Sequence, residues 1–181
     1  DVPDEKLLMI PFGIHCNEFE PAVDRISLRS RYGLPKDKTI ILAVSAINRH
    51  HKRVDYLVDE VAALGGDYFL LVAGHMEDIS LKDEAEKKLG KRFKFTHVPF
   101  REMNQLYQVA DIFVMASTYE GFGLAIIEAM SAKLPVIAHD YLHYQWIVGD
   151  TRSLANLERA GGLFNKVREL ETHPGMRNDL I

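Results

Sequence analysis

The chain has 181 residues, of which 47% are hydrophobic and 27% are charged. This composition is typical of one folded domain and excludes an intrinsically disordered protein. The 22 basic and 26 acidic side chains give a formal net charge of −4, whereas domains that bind nucleic acid are usually basic. We therefore expect no nucleic-acid partner.

The single cysteine, Cys16, excludes an intrachain disulfide. It favours a reducing compartment, so the cytoplasm is predicted, and a small buried thiol is expected at this position. The chain begins at Asp1 without a signal-peptide pattern, and an apolar stretch follows at residues 7–11. We interpret the chain as a piece of a longer protein, for which the inner face of a membrane is the alternative location.

Short apolar runs typical of buried strands alternate with runs of helical spacing along the chain. The predicted elements, in chain order, are strand 40–44, helix 52–64, strand 68–73, helix 78–89, strand 93–98, helix 101–110, strand 111–115, helix 122–132, strand 135–138 and helices 153–159 and 163–171. The short connections between them predict a Rossmann-like α/β fold, a parallel sheet with helices on both faces.

The chain divides into three parts within this single predicted domain. Residues 1–38 form a leading segment and first helix, residues 39–150 the core, and residues 151–181 the closing helices. In such folds ligands bind beyond the carboxyl ends of the strands. The segments that directly follow each strand are therefore the places to search for a binding site.

The segment after the fourth strand, residues 116–124, contains Gly121 and Gly123 just before a helix. Glycine allows the backbone to approach a ligand closely, and the start of a helix offers free N–H groups to phosphate or sugar oxygens. A plain strand-to-helix turn is the alternative interpretation of this segment.

The helix that follows is apolar on every side except at Glu128, which predicts a buried helix. A carboxylate in apolar surroundings costs several kcal/mol unless it is paired or hydrogen-bonded. Glu128 is therefore a candidate acceptor for the hydroxyls of a diol such as ribose. A structural ion pair with a lysine or arginine is the alternative.

Glu120 and Glu128, with seven residues between them, precede an apolar strand that begins at Pro135. This segment resembles the donor-binding motif of retaining glycosyltransferases of family four, also called group 1. Residues 11–14, 70–74 and 107–114 resemble other stretches of that family. The resemblance covers about residues 8–150.

The resemblance implies one domain of a two-domain GT-B enzyme, in which two Rossmann-like domains face each other across a cleft. The chain resembles the second domain, which binds the nucleotide sugar, and the N-terminal acceptor domain is absent. By the family pattern, Glu128 holds the ribose and Glu120 lies near the donor sugar, while the nucleobase rests near the end of the third strand. The implied donor-binding residues are Glu128, Gly121, Phe122, Gly123, Leu124, Val98 and Gly74.

Basic side chains are expected to neutralise the diphosphate, since no metal ion and no cofactor is expected in this family. Lys52 matches the family lysine, and the family arginine would lie at Ile47. Arg49 is the candidate replacement and Arg53 is the next, so Glu120, Lys52 and Arg49 are the predicted catalytic residues. A solvated basic turn is the alternative interpretation of this run.

Two further departures from the family pattern affect the presumed nucleotide pocket. One glycine, Gly74, replaces the usual pair after the second strand, and His97 stands where glycine is usual. Two rival functions stay open: a nucleotide-sugar 2-epimerase, which shares the two-domain architecture, and a non-catalytic binding domain, which the missing arginine and His97 favour. For the transferase, we expect the isolated chain to bind donor weakly and to transfer nothing.

Overall fold

The fold is that of a computed structural model, which describes residues 12–19 and 24–173, without the side chains of residues 17 and 18. Parts of the predicted leading segment and closing helices, residues 1–11, 20–23 and 174–181, lie outside the described residues. The strands are β1 (Thr39–Val44), β2 (Tyr68–Ala73), β3 (Phe93–Thr96), β4 (Ile112–Met115), β5 (Val136–His139) and β6 (Leu154–Ala155). They pair in parallel in the order β3-β2-β1-β4-β5-β6.

Helices cover both faces of this sheet, as the predicted Rossmann-like α/β class requires. They are α1 (Arg25–Arg31), α2 (Val54–Leu64), α3 (Ser80–Leu89), α4 (Met103–Val109), α5 (Leu124–Ser131), α6 (Leu142–Val148) and α7 (Gly162–Thr172). Buried side chains of α2, α3 and α7 form one core cluster, and those of α4, α5 and α6 belong to a second. The predicted fold class is confirmed.

The central strand β1 shows why the inner strands are largely apolar. Ile41 and Ala43 belong to the first core cluster, whereas Ile40 and Leu42 belong to the second. Successive side chains of a strand point to opposite faces of the sheet. Because both faces are covered by helices, the four buried positions of β1, residues 40–43, have to be apolar.

The predicted helix at residues 153–159 is wrong. Thr151–Ser153 forms one 3₁₀ turn, and Leu154–Ala155 then pairs with β5 as the edge strand β6. The Leu157 N–H donates to the imidazole Nδ1 of His139 at 3.2 Å, which holds the chain at the sheet edge. Pairing with β5 thus overrides the local helical pattern. Cys16 is also exposed rather than buried.

Gly74 lies where the turn after β2 passes the end of β1. A β-carbon built on Gly74 would lie 1.8 Å from the carbonyl oxygen of Ser45. We expect Gly74→Ala to lower the free energy of unfolding by at least about 2 kcal/mol, because backbone has to move to admit the methyl group. Urea denaturation measures this effect. Gly66→Ala is the control, since its β-carbon would meet nothing within 4 Å, and an equal loss in both variants would contradict the prediction.

Candidate functional site

The strand order reverses between β1 and β4, so the segments that leave these two strands bound one crevice at the carboxyl edge of the sheet. The Thr118 N–H donates to the carbonyl oxygen of His51 at 3.1 Å and ties the two segments together. Lys52 and Glu120, which are 68 residues apart in the chain, form an ion pair across the crevice. The fold thus places two of the predicted catalytic residues in contact.

An open cavity of about 500 Å³ lies at this crevice. Its lining includes six predicted site residues, namely Lys52, Glu120, Gly121, Phe122, Gly123 and Leu124. The backbone N–H groups at the start of α5 have no partners within the helix, as at every helix N-terminus. The cavity therefore offers one ammonium, one carboxylate and a row of backbone donors to a ligand.

Helix α6, which the sequence did not predict, supports the segment after β4 from behind. The buried Tyr144 hydroxyl donates to the carbonyl oxygen of Ser117 at 3.2 Å. Burial, and then the charge of Glu120, raise the pKa of Tyr144, so that its hydroxyl stays protonated. The imidazole Nε2 of His143 lies 3.1 Å from the carbonyl oxygen of Phe122. These contacts hold the glycine-containing segment in place.

Asn48 organises the segment after β1, and sequence reasoning missed it. Its side chain is 3% exposed, its Oδ1 accepts from the Lys52 N–H at 3.2 Å, and its Nδ2 donates to Glu77 Oε2 at 2.7 Å. Its carbonyl oxygen accepts from the N–H of Val54, the first residue of α2, at 2.9 Å. Asn48 thus fixes the backbone that carries Lys52. The available signal was an amide side chain four residues beyond the end of β1, directly after apolar Ile47.

Arg49 points away from the cavity, toward helix α3. Its guanidinium binds Asp78 Oδ2 at 2.7 Å, Glu84 Oε2 at 3.1 Å and Ser80 Oγ at 2.9 Å. Hydrogen bonds from Ser80 and then from Arg49 hold the pKa of Asp78 below its usual value. Of the described residues that line the cavity, Lys52 is the one with a basic side chain.

Glu128 lies within α5 and is 9% exposed. Its Oε2 accepts a hydrogen bond from the Tyr107 hydroxyl at 2.5 Å. Burial, and then the charge of Glu128, raise the pKa of Tyr107 well above its usual value, so that the hydroxyl remains a donor. Among the described residues no lysine or arginine pairs with Glu128, so the alternative of a structural ion pair is wrong there.

Four predicted site residues lie outside the lining of the cavity: Arg49, Glu128, Val98 and Gly74. Gly74 packs its backbone against Ser45 at the rim of the crevice. Val98 follows β3 and is half-buried against the core cluster of α4, α5 and α6. The adjacent His97 is exposed.

The described residues lack both a metal-binding cluster and a membrane-spanning helix. Across residues 12–19 and 24–173, no group of three or more His, Cys, Asp or Glu side chains is arranged to hold a metal ion. None of the helices in these ranges combines the length and the apolar character needed to cross a membrane.

Comparison with known proteins identifies the family. Residues 24–181 match the family model of glycosyl transferases group 1. The lipopolysaccharide core biosynthesis mannosyltransferase LpsB of Rhizobium meliloti is 32% identical over 154 residues, which are 77% of this chain and 41% of LpsB. The chain thus spans less than half of that relative.

Two solved structures share the fold. The C-terminal domain of the group 1 glycosyl transferase LpcC from Francisella tularensis is 24% identical with a TM-score of 0.75, and the match covers 93% of this chain and 92% of that domain. HepE of Anabaena, solved in complex with UDP-glucose, is 21% identical with a TM-score of 0.81, over 93% of this chain and 48% of HepE. The chain belongs to the group 1 family of glycosyltransferases and has the fold of the C-terminal domain of these GT-B enzymes.

Proposed function

We propose that the chain is the donor-binding domain of a retaining glycosyltransferase, which transfers a sugar from a nucleoside-diphosphate sugar to an acceptor. One observation carries this proposal: the crevice between β1 and β4 places Lys52, Glu120 and the N-terminus of α5 around one cavity. An anionic diphosphate joined to a polyhydroxylated sugar has the groups that such a cavity can bind.

Each group of the site then has a role. Lys52 neutralises the diphosphate, Glu120 accepts hydrogen bonds from the sugar hydroxyls, and the backbone N–H groups of residues 122–124 contact the same sugar. Glu128, oriented by Tyr107, holds the ribose hydroxyls. Val98 and Gly74 lie near the base and the diphosphate. Arg49 contributes only if it leaves Asp78 and Glu84.

The chemistry follows from the charge that develops on the leaving group. The bond between the anomeric carbon and the diphosphate oxygen breaks, and the acceptor oxygen bonds to the same face of that carbon, which retains its configuration. The acceptor proton passes to the leaving diphosphate. Lys52 stabilises the negative charge that grows on the diphosphate in the transition state.

The comparisons support donor binding by this chain and acceptor binding by another part of the natural polypeptide. LpsB is named as a mannosyltransferase, and HepE was solved with UDP-glucose. Since this chain spans 41% of LpsB, we propose that the remainder of the natural polypeptide binds the acceptor. The isolated chain should therefore bind the donor weakly and transfer no sugar.

A thermal-shift screen with UDP-glucose, GDP-mannose and ADP-glucose tests the proposal. A ligand at about 100 times its dissociation constant stabilises a protein by roughly 2.7 kcal/mol, which raises Tm by several degrees. We expect one of these nucleotide sugars to produce such a shift, and Glu128→Ala to lose it because the ribose hydroxyls lose their acceptor.

Glu86→Ala is the matched control, because Glu86 is an exposed carboxylate on α3. This variant should keep the full shift. The absence of a shift with all three sugars, or an undiminished shift in Glu128→Ala, would count against the proposed function.

One observation favours a non-catalytic binding domain as the second candidate. Arg49 is held by Asp78 and Glu84, and buried Ile47 occupies the family arginine position. The diphosphate would then meet Lys52 alone among the described lining residues. Donor binding without any sugar transfer or donor hydrolysis by the natural polypeptide would favour this second candidate.

A further inference from the structure

Lys52 and Glu120 are each other's partners at the cavity. The ammonium and the carboxylate form an ion pair, and their side chains are 14% and 17% exposed. Within the described residues, neither side chain has a second hydrogen-bond or ion-pair partner. Any anion that binds the Lys52 ammonium must therefore compete with the Glu120 carboxylate.

The backbones that carry this pair are fixed independently of it. Asn48 holds the Lys52 N–H, the Thr118 N–H binds the His51 carbonyl oxygen, and Tyr144 holds the Ser117 carbonyl oxygen. The pair can consequently exchange partners by side-chain rotation, while the two segments stay in place.

We propose that Glu120 makes the site discriminate a nucleotide sugar from a bare nucleoside diphosphate by competing for Lys52. This inference rests on the proposed function. When a diphosphate binds Lys52, Glu120 is left as a partly buried carboxylate beside the negative charges of that diphosphate. A carboxylate in that position is unfavourable unless other donors replace the lost partner.

The two ligands differ in whether they supply those donors. A nucleotide sugar carries hydroxyl groups next to its diphosphate, and these can donate to Glu120 after Lys52 has turned to the phosphate. A nucleoside diphosphate has no such hydroxyls at that end. The free-energy cost of separating Lys52 from Glu120 is therefore offset when the nucleotide sugar binds. It is not offset when the nucleoside diphosphate binds, so Glu120 favours release of this product.

Titration calorimetry on the chain with UDP and with UDP-glucose tests this inference. If the thermal-shift screen selects another base, GDP and GDP-mannose or ADP and ADP-glucose replace these two ligands. Glu120→Gln keeps the shape of the side chain but weakens its interaction with the Lys52 ammonium. We expect UDP to bind about two- to fivefold more tightly to this variant, the range that corresponds to a partly exposed ion pair. The preference for UDP-glucose over UDP should fall by at least about tenfold, because a hydrogen bond to a charged acceptor is also lost.

Two further variants make the test specific. In a Lys52→Met background, Glu120→Gln should tighten UDP binding by clearly less than it does with Lys52 present, because only the direct repulsion between Glu120 and the diphosphate then remains. An equal gain in both backgrounds would overturn the competition. Glu86→Gln removes one negative charge from exposed α3 and controls for the change in net charge. It should leave the affinity for UDP at the wild-type value.

The outcomes separate the two proposals. If the wild type binds both ligands and Glu120→Gln leaves UDP affinity unchanged or weaker, the discrimination by Glu120 is overturned and the proposed function stands. The same holds if Glu86→Gln tightens UDP binding as much as Glu120→Gln does. If the wild type binds neither UDP nor UDP-glucose, nor the GDP and ADP pairs, the proposed function fails and this inference fails with it.

Discussion

Replacement of Lys52 by alanine in the natural polypeptide that carries this chain is expected to lower kcat/KM for sugar transfer by about 10²- to 10³-fold. This is the usual loss when one positioned donor to a developing negative charge is removed. Lys52 is the one basic residue among the described residues of the cavity lining, so no neighbour can replace it there. Steady-state kinetics with saturating acceptor measures the effect.

The matched control is Lys87→Ala, which removes the same charge from an exposed position on α3. It should retain wild-type kinetics, and both variants should keep the wild-type Tm within a few degrees. Activity of Lys52→Ala within a factor of two of wild type would show that another group neutralises the diphosphate.

Asp111→Ala is expected to lower the free energy of unfolding by about 3–5 kcal/mol, because it breaks a buried ion pair. Asp111 lies just before β4, and its carboxylate accepts from Arg29 at 2.6 Å, from Arg25 at 2.6 Å and from the Ile40 N–H at 2.7 Å. Arg29 is only 6% exposed. Its guanidinium would remain buried without its carboxylate partner.

Urea denaturation of the two variants Asp111→Ala and Arg25→Ala provides the comparison. The Arg25 side chain is 43% exposed, so its loss should cost about 1 kcal/mol or less. If the two variants lose equal stability, the cluster at Asp111 does not depend on the burial of Arg29.

Most of the fold could be predicted because four strands, β1, β2, β4 and β5, are buried on both faces. Such strands are almost entirely apolar, and their limits are visible in the sequence; β2 begins at Tyr68 and ends at Ala73, as predicted. Helix α6 was missed because Tyr144 is its one buried residue, so it shows no apolar stripe. The two-residue strand β6 was missed because its pairing with β5 is a tertiary contact.

The location of the candidate site could be predicted from the sheet topology. The motif indicated Glu120, the match to the family lysine indicated Lys52, and the strand order places the segments after β1 and β4 side by side. The sequence could not show that Asp78 and Glu84 hold Arg49 on the opposite side of its segment. It also could not show that Asn48 is buried and binds the Lys52 backbone. These contacts depend on where α3 and the turn after β2 pack.

The account therefore depends on one location, the crevice at which Lys52 meets Glu120. Titration of the ¹⁵N-labelled chain with the nucleotide sugar selected by the thermal-shift screen tests that location most directly. We predict that the largest changes in amide chemical shift occur in residues 45–53 and 116–124, on both sides of the crevice. Shift changes confined to α3 or α7, with both of these segments unaffected, would contradict the account.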